Sequence, residues 1–324
     1  MLALDQYRDA ILQHLQEQKV KKEPINLYGP IDYILQLGGK RLRPILTLMT
    51  ADIFGGDHKE ALDAALAVEV FHNFSLVHDD IMDDAPLRRG KETVHEKWDI
   101  NTGILSGDAM LILAYQLFES YEPEIFQKLA KLFSKTAIEV CEGQQYDVDF
   151  ETRDDVTIDE YLKMIEYKTA VLVAAAMKMG AIIANAREEE AQKVYDFGLN
   201  LGLAFQLKDD YLDAFGDPKT FGKQVGGDII ENKKTYLYLK ALALSDTKER
   251  EQLAHLFSVQ PIDPSEKIST TKEMFESSGA ARATLNEIES YTSKAFSILE
   301  KLNIEEKGKQ SFRAFGEMLM NRTI

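Results

Sequence analysis

A chain of 324 residues with 45% apolar content is long enough to bury a sizeable core, as one large domain or two ordinary ones. Its 54 acidic residues against 38 basic leave a net charge of −16, which argues against nucleic acid as a ligand because phosphate backbones need a basic footprint. The single cysteine, Cys141, excludes an internal disulfide, and the longest apolar run, Ala170 to Ala184, is broken by Lys178 and Gly180 and falls short of the roughly 20 residues of a membrane span. The opening segment MLALDQYRDAILQHLQEQ mixes charge with apolar residues instead of running apolar behind a basic start, so a cytoplasmic protein without a transmembrane segment is expected.

Apolar residues recur at spacings of three and four along most of the chain, while strand-like alternation is scarce, so the expected fold class is all-α. In chain order the pattern predicts helices at about 3–20, 43–54, 58–84, 102–121, 124–146, 157–183, 188–215, 231–244, 248–257, 265–280, 283–302 and 305–321. Gly38-Gly39, Gly55-Gly56, Pro86 with Gly90, Gly216 to Pro218 and Gly226-Gly227 supply the breaks. No linker, low-complexity tract or internal repeat interrupts the series, so a single domain over 1–324 is expected.

The third of these helices ends in His78-Asp79-Asp80-Ile81-Met82-Asp83-Asp84. At about 100° per residue, Asp79 stacks on Asp83 and Asp80 on Asp84, which collects four carboxylates on one side of the helix. Like charges ~5–6 Å apart repel by roughly 3 kcal/mol at an effective dielectric of 20, and a helix C-terminus already disfavours negative charge. The arrangement recurs in Gln206-Leu207-Lys208-Asp209-Asp210-Tyr211-Leu212-Asp213, where Asp209 and Asp213 are again one turn apart. Carboxylates without His or Cys neighbours suit hard cations such as Mg²⁺, which typically shares its coordination sphere with phosphate oxygens and water. Two such clusters imply a metal-bridged diphosphate.

Compact basic groups accompany them in an otherwise acidic chain: Gly39-Lys40-Arg41-Leu42-Arg43 and Leu87-Arg88-Arg89-Gly90. Arginine grips phosphate oxygens in pairs and lysine acts as a point charge, so both suit a diphosphate. Arg88 and Arg89 could equally serve to neutralise the adjacent aspartates, whereas Lys40 and Arg43 have no acid near them in sequence. Lys168, Lys223 and Lys233 are further single candidates, each of a kind common on protein surfaces. No Ser-His-Asp or Cys-His set, phosphate loop or zinc spacing stands out.

The segments GGKRLRP, HDDIMDDAPLRRG, EYKTA, FQLKDDYLDAFGD and GGDIIENK, in that order between about Gly38 and Lys233, resemble the trans-type isoprenyl diphosphate synthases, or polyprenyl synthetases. The resemblance implies an isoprenoid synthase fold, with helices surrounding a deep central cavity, in a homodimer. It implies that Asp79, Asp80 and Asp83 form one metal-binding set and Asp209, Asp210 and Asp213 the other, with Asp84 at most accessory. Mg²⁺ is the implied ion, with Mn²⁺ as a substitute. Arg88, Lys168, Lys223 and Lys233 resemble the family's grips on the allylic diphosphate; Lys40, Arg43, His72 and Arg89 resemble its isopentenyl diphosphate pocket. Thr169 and Gln206 resemble the polar groups that face the developing carbocation. Phe74 and Ser75, just before the first motif, resemble the floor that limits product length, in a pattern nearer geranylgeranyl than farnesyl diphosphate synthases. A terpene cyclase and a non-catalytic partner subunit are the competing readings; the second DDxxD motif with Lys40 and Arg43 opposes the first, and retention of both acidic motifs opposes the second.

Overall fold

A computed structural model of the chain describes residues 2–18, 22–217 and 225–321. They group into two compact units, Met1–Lys135 with Ala175–Tyr195, and Thr136–Ala174 with Asp196–Ile324.

The first unit contains α1 (Leu4–Glu17), α2 (Ile25–Gln36), α3 (Leu42–Ile53), α4 (Leu62–Met82), α5 (Val94–Lys97), α6 (Ile100–Gln116) and the start of α7 (Pro123–Thr152). Helix α4 lacks glycine and proline and is apolar almost all round, as a central helix must be: Ala64, Ala65, Ala67, Val68, Val70 and Phe71 are all buried. It packs on α6 and α3, and Phe71 with Phe118 meets Phe133 edge-on at ring distances of 5.1 and 5.2 Å. A cavity of about 700 Å³ opens beside α4 at Leu66 and Val70, and none of the sequence-predicted site residues lines it.

The second unit takes the rest of α7, then α8 (Ile158–Ile165), a π-helical turn (Glu166–Ala170), the first residues of α9 (Val171–Ile183) and most of α10 (Glu188–Phe215). It continues with α11 (Gly227–Ile230), α12 (Tyr236–Leu244), α13 (Thr247–Leu256), α14 (Ser265–Ser277), α15 (Ala280–Glu300) and α16 (Glu306–Met320). Its core gathers Tyr161, Ile165, Leu207, Tyr236, Leu239 and Phe275. Thr157 and Glu160 start α8 with a reciprocal capping box.

The all-α expectation holds. Among the described residues the only sheet is a pair of two-residue strands, β1 (Leu87–Arg88) and β2 (Lys91–Glu92), closed by the left-handed Arg89 and Gly90. No helix among them is long and apolar enough to cross a membrane.

Four local expectations need correction. Helix α2 was not foreseen; Pro30 lies in its second turn, and burial of Ile31, Ile34 and Leu35 outweighs the hydrogen bond it forfeits. The helix expected at 231–244 begins only at Tyr236, after a turn in which Asn232 is left-handed. The helix expected over 157–183 is interrupted by the π turn. Helix α4 stops at Met82, and Asp84 has φ 48°, so Asp84 leaves the helix and the stacking of Asp80 on Asp84 does not occur.

Candidate active site

In the first unit, α4 delivers Asp79 and Asp80 from its last turn and Asp83 from its C-cap, where the Asp83 N–H donates to the Asp79 carbonyl at 2.9 Å. Asp80 is 1% exposed and is gripped by Arg88, from Nε at 2.7 and 2.9 Å and from Nη2 at 2.6 Å; Arg88 Nη2 also stands 3.6 Å from Asp79. Burial holds the Asp80 carboxyl above its ordinary value, outweighing the bonds to Arg88 that pull it down. Burial also opposes the charge on Arg88, but the bond to Asp80 and the charges of Asp80, Asp79 and Asp83 outweigh it and hold the guanidinium above its ordinary value. With a fork at such range the pair is ionised, and burial is its cost.

The preceding helix turns bring the arginines together. Arg41, left-handed at φ 51° and 5% exposed, pairs with buried Glu69 and donates to the Leu35 carbonyl. Asn73 Nδ2 donates to the same Glu69 carboxylate at 2.7 Å. This anchor sets the loop that carries exposed Lys40 and the first turn of α3 that carries half-buried Arg43. Arg43 Nη1 lies 3.2 Å from His72 Nε2, and Arg89 donates to the Gly38 carbonyl. A Cβ on Gly39 would stand 2.9 Å from the Arg89 guanidinium carbon, so only glycine gives that guanidinium its place.

Burial holds the His72 ring well below the ordinary histidine range, and the charges of Arg43, Arg89, Arg88 and Arg41 push it the same way. The ring is therefore neutral, and Nε2 accepts from Arg43. Arg43 and Arg89 are themselves lowered, by burial first and then by neighbouring guanidiniums, with Glu69 the acid that opposes both shifts. Of the four guanidiniums whose charge reaches His72, Arg41 is paired with Glu69 and Arg88 with Asp80, which leaves Arg43 and Arg89 as the excess positive charge of this cradle. Phe74 is 7% exposed and packs on Phe71 and His78 at ring distances of 5.4 and 4.8 Å, and half-buried Ser75 donates to the His72 carbonyl at 2.8 Å.

In the second unit the π turn carries Lys168 and Thr169. A Cβ on Gly143 would fall 2.2 Å from the Lys168 backbone nitrogen, so α7 and the turn meet backbone to backbone. Lys168 Nζ donates to Asp147 at 2.5 Å. Thr169 Oγ1 donates to Gln206 Oε1 at 3.0 Å, and Gln206 Nε2 donates to Asp210 at 2.9 Å, which joins the turn to α10 by a continuous chain of hydrogen bonds. Tyr161 O–H also donates to Asp210.

Asp210 is 7% exposed, and burial raises its carboxyl to about 6, with the charges of Asp213 and Asp147 adding to the shift. Asp213 accepts from the Asp228 N–H at 2.9 Å, and its backbone carbonyl accepts from the Gly226 N–H at 2.7 Å. Burial and then Asp210 and Asp213 push the Asp228 carboxyl well up. Lys233 pairs with Glu231 at 3.1 Å; burial opposes its charge, but Glu231, Asp228 and Asp147 together hold the ammonium above its ordinary value. Half-buried Asp209 shares α10 with Asp210 and Asp213.

Within the first unit the structure thus brings Asp79, Asp80, Asp83 and Arg88 together, and Arg43, Arg89 and His72. Within the second it joins Thr169, Gln206 and Asp210, with Asp213 beside them. Lys223 lies outside the described residues. Asp147 and Asp228 were not singled out from the sequence. Asp228, directly after two glycines inside a motif, offered a signal; Asp147, among the acids of α7, offered none.

An all-helical fold with two aspartate-rich segments and a basic cradle defines a class, the trans-prenyltransferases. The chain belongs to the polyprenyl synthetase family, whose model matches residues 24–275. It is 37% identical over 278 residues to a short chain isoprenyl diphosphate synthase of Methanothermobacter thermautotrophicus, covering 86% of this chain and 85% of the relative. It is 43% identical over 220 residues to a geranylgeranyl diphosphate synthase of Methanosarcina mazei, covering 67% and 68%. A crystal structure of a geranylgeranyl pyrophosphate synthase superposes with a TM-score of 0.96 at 57% identity over 99% of both chains.

Proposed function

We propose that this chain condenses isopentenyl diphosphate head-to-tail with an allylic diphosphate to give geranylgeranyl diphosphate and free diphosphate. The observation that carries the reading is the cradle at His72: Arg41 and Arg88 are paired with Glu69 and Asp80, but Arg43, 3.2 Å from His72, and Arg89, on the Gly38 carbonyl, leave positive charge to spare in a chain whose net charge is −16. An anion of high charge density fits that surplus, and relatives called geranylgeranyl diphosphate synthase support the product.

The acids fit a divalent ion. Asp210 and Asp228 are crowded carboxyls raised by burial and by one another, a donor set that a hard cation relieves. Asp79, Asp80, Asp83, Asp209, Asp210 and Asp213 would hold Mg²⁺, which when bound supplies electrostatic stabilisation of the leaving diphosphate. Arg88, Lys168, Lys223 and Lys233 bind the allylic diphosphate and stabilise the charge that builds on it as the carbon–oxygen bond ionises. Lys40, Arg43, His72 and Arg89 bind isopentenyl diphosphate and orient its double bond toward the allylic carbon. Thr169 and Gln206 face the cation with oxygen dipoles, and their mutual hydrogen bond fixes that orientation. Loss of a proton to the released diphosphate completes the new isoprene unit, without a protein nucleophile. Phe74 stops the growing tail.

The enzyme works as a single functional domain, as a cytoplasmic homodimer. Ile104, Leu105 and Ile112 on α6, all exposed, support a partner surface for a second copy, which light scattering would check against the monomer mass of 36.7 kDa.

The test is to incubate the protein with Mg²⁺, isopentenyl diphosphate and dimethylallyl, geranyl or farnesyl diphosphate in turn, and to size the dephosphorylated products. Geranylgeraniol as the dominant product supports the reading, and Phe74→Ala should then lengthen it. Farnesol keeps the reaction and places the floor elsewhere. No elongation with any primer in a folded sample overturns the reaction.

A further inference from the structure

Asp84 was the one acid of the first motif without a role. It departs from α4 in a left-handed conformation, and its carboxylate does not stand alone. Donor atoms of Asp84, His95 and Glu96 all lie within 4.8 Å of one another, although the first is separated from the others by the whole excursion through β1 and β2. His95 sits in α5 with its side chain 4% exposed, and neither ring nitrogen has a hydrogen-bond partner. Its Nε2 stands 3.7 Å from Glu96 Oε1, beyond hydrogen-bond reach. A buried imidazole with both nitrogens unsatisfied is uncommon, because each forfeits a bond that water would have made. Two carboxylates converge on it from the exposed side.

We propose that Asp84, His95 and Glu96 bind a first-row transition-metal ion of the Zn²⁺ class, separate from the aspartates assigned to the diphosphate. The donor chemistry selects the ion. Imidazole nitrogen with carboxylate oxygens suits Zn²⁺, Co²⁺ or Mn²⁺, whereas Mg²⁺ takes oxygen donors. Metal–ligand distances of ~2.0–2.2 Å put neighbouring donors roughly 3–3.5 Å apart, so a pair at the 4.8 Å limit closes by roughly 1.3–1.8 Å on binding. Asp84 and Glu96 are exposed, which lets them move and leaves the remaining coordination positions to water.

The ion would act as a clamp. Residues 85–94 leave the end of α4, turn at Arg89-Gly90 and return to α5, held across their base by the Thr93 N–H donating to the Pro86 carbonyl at 3.2 Å. That excursion carries Arg88 and Arg89. Tying Asp84 to His95 closes it at its root, which reduces the freedom of both guanidiniums without touching them. The binding claim is independent of the proposed reaction; only this clamp role rests on it.

The test titrates Co²⁺ into the metal-free full-length protein in excess Mg²⁺ and without any diphosphate, following the Co²⁺ absorption bands and amide exchange over residues 85–94. One Co²⁺ per chain is expected, with slowed exchange in that segment. Asp84→Asn and Glu96→Gln, both exposed, leave the fold intact. Each should weaken Co²⁺ binding by at least the roughly 10–100-fold that loss of an outer-shell partner costs. The Asp79→Asn/Asp83→Asn double variant should bind Co²⁺ like the wild type. The proposal is overturned by absence of stoichiometric uptake in the wild type, or by Asp84→Asn and Glu96→Gln binding Co²⁺ unchanged.

Discussion

The two aspartate motifs look alike in sequence, yet their buried members are held by opposite means. Asp80 lies against a guanidinium, with contacts of 2.6–2.9 Å to Arg88. Asp210 is held by neutral donors, Tyr161 and Gln206, while the charges of Asp213 and Asp147 press its carboxyl upward. The first motif is an ion pair the fold has already completed. The second stores negative charge that the fold has only hydrogen-bonded. Equal spacing of equal residues therefore says little about how much charge a bound cation must still compensate.

The largest effect should fall on turnover and should not distinguish the motifs. Asp79→Ala and Asp209→Ala are each expected to lower kcat by roughly 10²–10³-fold, the range for removing an element of electrostatic stabilisation, as read by steady-state elongation assays. Apo stability should separate them. Asp80→Asn leaves Arg88 with only the 3.6 Å approach of Asp79 and is expected to cost about 3 kcal/mol, whereas Asp210→Asn removes a repelled carboxylate and should stay within about 1 kcal/mol of wild type or stabilise. Urea denaturation with a chelator present measures both; equal losses would erase the contrast.

A smaller effect concerns the cradle. The folded-state pKa of His72 lies below its unfolded value, so the unfolded chain binds the extra proton, and stability present above pH ~6.5 is lost as the pH falls below it. The loss is at most about 1.4 kcal/mol per pH unit, and His72→Gln should not show it. Parallel stability–pH profiles for the two proteins would refute a neutral His72.

Much of this was legible in the sequence, for identifiable reasons. A buried helix such as α4 announces itself by periodicity and the absence of glycine and proline, and the DDxxD spacing by repetition. The cause of the Asp80–Asp210 contrast was not legible, because Tyr161 reaches Asp210 across 49 residues and only the fold brings them together. Arg41 looked like one more basic residue of its motif until Glu69, 28 positions on, made it a structural anchor. The π turn was hidden because one extra residue in a helical turn leaves composition unchanged and merely rotates the face that follows. Helix α2 was not legible because Gly29 and Pro30 stand inside it, and only burial of Ile31, Ile34 and Leu35 overrides their local preference.

The arginine cradle is a local feature, drawn from the start of α3 and the β1–β2 turn around His72, while the molecule as a whole carries −16. A substrate bearing several negative charges is thus repelled at long range and attracted only at short range, within about one Debye length, ~8–10 Å near physiological salt. Encounter kinetics should accordingly run against the usual rule for a cationic pocket. In the dilute regime added salt should speed substrate capture, by screening the far field before it reaches the near one, and only at higher salt should capture slow.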